Sequence, residues 1–85
     1  MREKRYTDLF AKNTSKLKGR ELHNLLKKID SIARSSDLNH YKNLSNELKR
    51  YKRVHVNRSF VLVFTGDDTS VTFVDYAHHD TIYDR

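Results

Sequence analysis

His78, His79, Asp80, Tyr83 and Arg85 crowd the end of this chain, and Arg53 and His55 lie two residues apart further upstream. On an extended strand that spacing puts both side chains on one face, about 7 Å apart. Imidazole titrates near neutrality and is a common general acid or base, and an arginine beside one can hold a phosphodiester while its proton moves. Cations, imidazoles and a phenol gathered on one surface suit a polyanion. Each part also has a plainer explanation. Charged residues belong by default on a solvated strand face, a histidine at a strand exit caps backbone groups, and a terminal tyrosine is commonly a core plug.

Metal chemistry is not expected. His and Asp are ligands, but adjacent residues rarely converge on one ion, and no His-Glu-x-x-His or similar helical spacing occurs. There is no cysteine, which excludes thiolate sites and disulfides.

The elements that must position these groups are readable in outline. Three β-branched and aromatic runs, Tyr51–Val56, Phe60–Phe64 and Val71–Tyr76, are separated by polar segments of hairpin length and predict a three-stranded antiparallel meander. The middle run is apolar on both faces and so belongs at the centre of the sheet. In the first, Lys52, Val54 and Val56 alternate with Tyr51, Arg53 and His55. Asp67 and Asp68 mark a hairpin tip.

Upstream, residues 2–6 suggest a short, charged edge strand, and Asp8–Leu17 a short helix with Thr7 as its N-cap. After the break at Lys18-Gly19, Leu22, Leu25, Leu26, Ile29, Ile32 and Ala33 follow helical spacing, with Lys27, Lys28, Asp30 and Arg34 opposite. Leu26 and Ile29 are expected at the centre of that apolar stripe. Tyr41, Leu44 and Leu48 predict a further helical turn before the sheet. Two helices cover one sheet face, which leaves the other open for Arg53 and His55.

The 85 residues allow one domain, 1–85, of α+β class, with a thin stability margin. No apolar run approaches the roughly 18 residues that span a bilayer. The basic N-terminus lacks the apolar core of a signal peptide, so a cytoplasmic protein with no membrane partner is expected. Lys and Arg outnumber Asp and Glu by 17 to 11, a net charge of +6. Such an excess favours nucleic acid, an anionic membrane surface or an acidic protein, without choosing among them. Lys49, Arg50, Lys52, Arg53 and Arg58 bracket the start of the sheet, which makes the cationic surface local.

Taken together, these features resemble the RelE/ParE superfamily of type II toxins. The resemblance rests on the order of elements and on two motifs. One is an aromatic–basic strand leading into an apolar strand, here YKRVHVNRSFVLVF. The other is a closing strand running into an Ala/Gly-His-x-x-x-x-Tyr tail, here Ala77 to Tyr83. It implies a short N-terminal strand and two helices packed on one face of a small antiparallel sheet. It also implies a ribosome-dependent endonuclease that makes the 2′-hydroxyl of mRNA attack its own phosphate, with a cognate antitoxin as partner and no cofactor. Under that resemblance Arg53 binds phosphate, and His55 and His79 are acid, base or charge-stabilising groups. His78 falls on the histidine of a family Gly-His-Arg segment and His79 on its arginine. Tyr83 matches a terminal tyrosine that acts as acid or base or stacks on a base. Lys49, Arg50, Lys52, Arg58 and Arg85 supply affinity for RNA and the ribosome. One position departs from the pattern. The family's apolar strand carries a phosphate-holding arginine directly after its first aromatic, and here that residue is Val61. The alternative is therefore an inactive or ParE-like binding module that acts through protein partners or in a repressor complex.

Overall fold

The computed structural model describes residues 1–44 and 50–83. In chain order the elements are β1 (Glu3–Tyr6), α1 (Asp8–Thr14), α2 (Gly19–Arg34), a 3₁₀ turn (Leu38–His40), β2 (Lys42–Asn43), β3 (Lys52–Val56), β4 (Phe60–Gly66), β5 (Ser70–His78) and α3 (His79–Tyr83). The strands form one sheet in the order β1-β5-β4-β3-β2. The expected meander is its centre, with β3, β4 and β5 paired antiparallel. β1 joins the far side of β5 in parallel, so the sheet is mixed rather than wholly antiparallel.

Local chemistry explains most boundaries. Thr7 caps α1: its hydroxyl accepts the Phe10 amide at 3.0 Å and donates to the Val74 carbonyl at 2.6 Å, which ties the helix start to β5. Gly19 opens α2 with a φ of 62°, in the left-handed region that favours glycine. At the β4–β5 tip, the Asp67 carboxylate accepts from the amides of Thr69 and Ser70 and from the Thr69 hydroxyl. These bonds hold its carboxyl below the ordinary carboxylate value.

α1 and α2 cover one face of the sheet. Phe10, Leu25, Ile29, Ile32 and Ala33 pack there against Val56, Leu62, Phe64, Val71, Phe73 and Tyr76. Two expectations fail. Leu26 is 53% exposed and lies outside the core. A helix over one layer buries only a stripe, and Leu25, Ile29, Ile32 and Ala33 already fill it, which leaves Leu26 one residue round the barrel from the contact line. The expected helical turn on Tyr41, Leu44 and Leu48 does not begin within the described residues 41–44. Lys42–Asn43 is a strand paired with β3, while Tyr41 meets Phe64 edge-on at 5.4 Å. Leu48 lies outside the described residues.

The opposite face is not bare. Leu44, Val61, Val63 and Ile82 form a second buried cluster, with Tyr51, Val74 and Ala77 around it. The chain closes that cluster with α3, which no sequence pattern had suggested. A register shift between Val63 and Phe64 leaves Val74 as an extra residue on β5, so that Phe73 and Tyr76, three residues apart, both face the first cluster.

Candidate active site

The register fixes where Arg53 and His55 lie. Arg53 is opposite Val63 and His55 is opposite Val61. Direct cross-strand partners share a face, so both polar residues stand on the second-cluster face, away from the helices. This is the face expected of them. On its other side Val61 is opposite Ala77, the last β5 residue before His78.

α3 then turns the closing residues back over the sheet end. His79 is its first residue, and the backbone amide of His79 donates to the Ser59 carbonyl at 2.7 Å, pinning the strand exit against the β3–β4 turn. The rings of His55 and His79 come to 6.4 Å, and those of His78 and His79 stack at 4.9 Å. Residues far apart in the chain thus form one imidazole cluster beside Arg53.

Asp80 organises the cluster. Its Oδ1 accepts from His79 Nε2 at 2.9 Å, and its Oδ2 lies 3.7 Å from His78 Nδ1. The Asp80 amide also donates to His78 Nδ1 at 3.2 Å. The other His79 nitrogen, Nδ1, is 3.3 Å from the Ser59 carbonyl oxygen. Both His79 nitrogens therefore face oxygen atoms, which fixes the plane of the ring. His55 is exposed. Two imidazoles in such different settings suit different halves of a proton transfer. The importance of Asp80 was not legible from type and spacing, because its contacts depend on where α3 begins.

His78, His79 and Asp80 each offer one ligand atom, and these atoms lie within 4.8 Å of one another. A divalent cation held there would have to replace the contacts that Asp80 makes with the two rings.

Of the expected cations among the described residues, Lys52 and Arg58 do not join this face, whereas Arg50 lies over Tyr51 at the edge of the second cluster. The Lys52 ammonium donates to Asn43 Oδ1 at 2.8 Å, and Lys52 is opposite Phe64 on the helix-covered side. Arg50 is exposed, lies 4.9 Å over the Tyr51 ring and donates to its hydroxyl. Arg58 lines a separate cleft with His78 and residues of α2. Lys49 and Arg85 lie outside the described residues. Tyr83 is the last residue of α3, one turn after His79. Val61, at the position of the family arginine, is completely buried.

β5 also carries a buried carboxylate. Asp75, 1% exposed, is opposite Val63 and accepts from Asn13 Nδ2 at 2.7 Å and from the Tyr76 amide at 2.8 Å. Among the described residues no helix is long and apolar enough to cross a membrane.

No family model matches the chain. It is 44% identical over 80 residues to RelE4 of Methanocaldococcus jannaschii, a toxin by assignment, spanning 92% of this chain and 83% of the relative. Among solved structures, YafQ from Escherichia coli strain BL21(DE3) superposes with a TM-score of 0.78 at 18% identity, covering 98% of this chain and 99% of that one. RelBE2 of Mycobacterium tuberculosis, a toxin–antitoxin complex, gives 0.74 at 22% identity, covering 91% and 90%. The structures establish the fold and the M. jannaschii relative establishes the kinship: the chain belongs to the RelE/ParE superfamily of toxins.

Proposed function

We propose that this protein is the toxin of a type II toxin–antitoxin pair, acting in the cytoplasm as a ribosome-dependent mRNA endonuclease. The observation that carries the reading is the pair of imidazoles, His55 and His79, 6.4 Å apart on the face that also bears Arg53. A phosphodiester lying between the two rings presents its 2′-hydroxyl to one and its leaving 5′-oxygen to the other.

His55, exposed and facing solvent, takes the 2′-hydroxyl proton. The 2′-oxygen then forms its bond to phosphorus as the bond from phosphorus to the 5′-oxygen breaks. His79, whose ring lies between the Ser59 carbonyl and the Asp80 carboxylate, turns one N–H from these contacts to the 5′-oxygen and gives it the proton it needs. Arg53 neutralises charge on the phosphate, a role in which charge-assisted bonds are strongest. The products are a 2′,3′-cyclic phosphate and a free 5′-hydroxyl, and no cofactor enters because the nucleophile belongs to the substrate. Tyr83 serves as a further acid or base, or stacks on a base. An antitoxin covers the basic surface in the inactive complex.

Purified ribosomes programmed with mRNA, followed by mapping of the 5′ ends, test the reading. His55→Ala and His79→Ala should each lower cleavage by about 10²–10⁴-fold, the usual contribution of one acid–base group. Full cleavage by both variants would put the catalytic centre elsewhere. Val61 favours the second reading, a binding module without catalysis, since no arginine replaces it within that strand. No cleavage by the parent protein would select that alternative.

A further inference from the structure

A cleft of about 710 Å³ opens on the side of the molecule where the start of α2, the β3–β4 turn and the end of β5 meet. Arg20, Asn24, Asn57, Arg58, Phe60 and His78 line it, and Glu21 is the one carboxylate among its lining residues. The chemistry is that of a nucleotide site: two guanidiniums, two carboxamides and an aromatic wall. Phe60 is half-buried, stacked on Tyr76 at 5.1 Å and meeting the His78 ring edge-on at 5.6 Å.

The turn that supplies Arg58 is held in an unusual conformation. Asn57 and Arg58 have φ values of 56° and 65°. Asn57 is secured there by three contacts. Its Nδ2 donates to the Glu21 carbonyl and the Tyr76 hydroxyl, each at 2.9 Å, and its Oδ1 accepts from Asn24. For Arg58 no hydrogen bond or ion pair with a described residue offsets the left-handed backbone, which a side chain with a Cβ occupies at a cost. A glycine would fit the turn better. An arginine kept there at the expense of stability points to a task outside the fold.

The cleft and the imidazole cluster share His78. His78 lines the cleft, and the next residue, His79, stacks on His78 while facing His55.

We propose that this cleft is a nucleotide subsite for single-stranded RNA. Arg58 and Arg20 hold the phosphate adjacent to the scissile one, and the base lies against the Phe60 and His78 rings. Stacking of this kind tolerates any base, because every base has a π-face. The proposal rests on the ribonuclease reading for which phosphate is scissile, but the binding itself does not require cleavage.

The test uses a short single-stranded RNA, 2′-O-methylated so that it cannot be cut, with binding followed by fluorescence anisotropy at several salt concentrations. Arg58→Gly should melt at or above the parent's temperature. It should bind the RNA about tenfold more weakly, with a log–log salt slope shallower by about one. In the parent, the same RNA should shift the amide NMR signals of Phe60 and His78. An Arg58→Gly protein with parental affinity and slope overturns the proposal, as does an RNA that leaves the Phe60 signal unmoved. Inorganic phosphate that reproduces the whole shift pattern would reduce the cleft to an anion site and overturn its role for the base. A parent that binds through the cleft but never cuts mRNA on ribosomes removes the ribonuclease reading and leaves the subsite standing. A parent that cuts mRNA while Arg58→Gly binds normally removes the subsite alone.

Discussion

His55 and Val61 are direct cross-strand partners on the same face of the sheet, yet His55 is exposed and Val61 is completely buried. The rim of the second cluster runs between them. Ile82 and Leu44 pack in the cluster that holds Val61, while His55 stands outside it beside His79. A side chain at position 61 therefore points into the second cluster and not into the space beside His55.

The consequence is that Val61→Arg will not restore a phosphate-binding group. It places an unpaired charge in an apolar cluster and should destabilise the fold by about 3–5 kcal/mol, enough to unfold a domain this small. Urea denaturation followed by circular dichroism reads this directly. A stable Val61→Arg protein with raised cleavage would mean that the second cluster opens to admit substrate.

Ile29 and Leu26 should behave oppositely although both belong to the apolar pattern of α2. Ile29 is 2% exposed and Leu26 is 53% exposed. Ile29→Ala empties a packed site and should cost about 2–5 kcal/mol. Leu26→Ala should stay within about 0.5 kcal/mol of the parent, as surface changes usually do. Thermal melts of the two variants side by side would reveal an error in the orientation of α2 as a reversal of that order.

Asn57 is the link between the β3–β4 turn, α2 and β5. Asn57→Ala removes three hydrogen bonds and leaves a Cβ at positive φ without compensation, so a loss of about 2–4 kcal/mol is expected. Asn57→Gly loses the same bonds but relieves the backbone, and should be milder by about 1 kcal/mol. Equal melting temperatures for the two variants would show that the left-handed backbone carries no cost.

Asp67 should make stability depend on acid pH. Its carboxyl is held below the ordinary value of 3.8, first by the amides of Thr69 and Ser70. A carboxylate whose folded pKa is depressed adds stability above its unfolded pKa and loses it as pH falls through the folded one. Asp67→Asn should therefore melt below the parent at neutral pH, with the gap closing as pH drops from 3.8 toward the lower folded value. A gap that stays constant across that range would assign the effect to turn geometry instead of charge.

The sequence by itself determined the local elements: the Thr7 cap, the α2 stripe, the turn at Asp67 and the three strands β3, β4 and β5. Each depends on contacts between near neighbours, and short-range periodicity records those. It also determined which face of β3 carries Arg53 and His55, since alternation is a property of one strand. Pairing was beyond its reach. β1 lies parallel to β5 because of contacts made across almost the whole chain, and a charged four-residue strand carries no mark of its partner. Leu26 and Leu25 are alike in type and adjacent in sequence, and only the position of the sheet beneath α2 decides which is buried. The same holds for the site. Residue types flagged His55 and His79, but the 6.4 Å between them, the grip of Asp80 and the burial of Val61 follow from α3 folding back over the second face. The tertiary structure decided these because they are distances between strands, and periodicity along a chain encodes direction within one strand only.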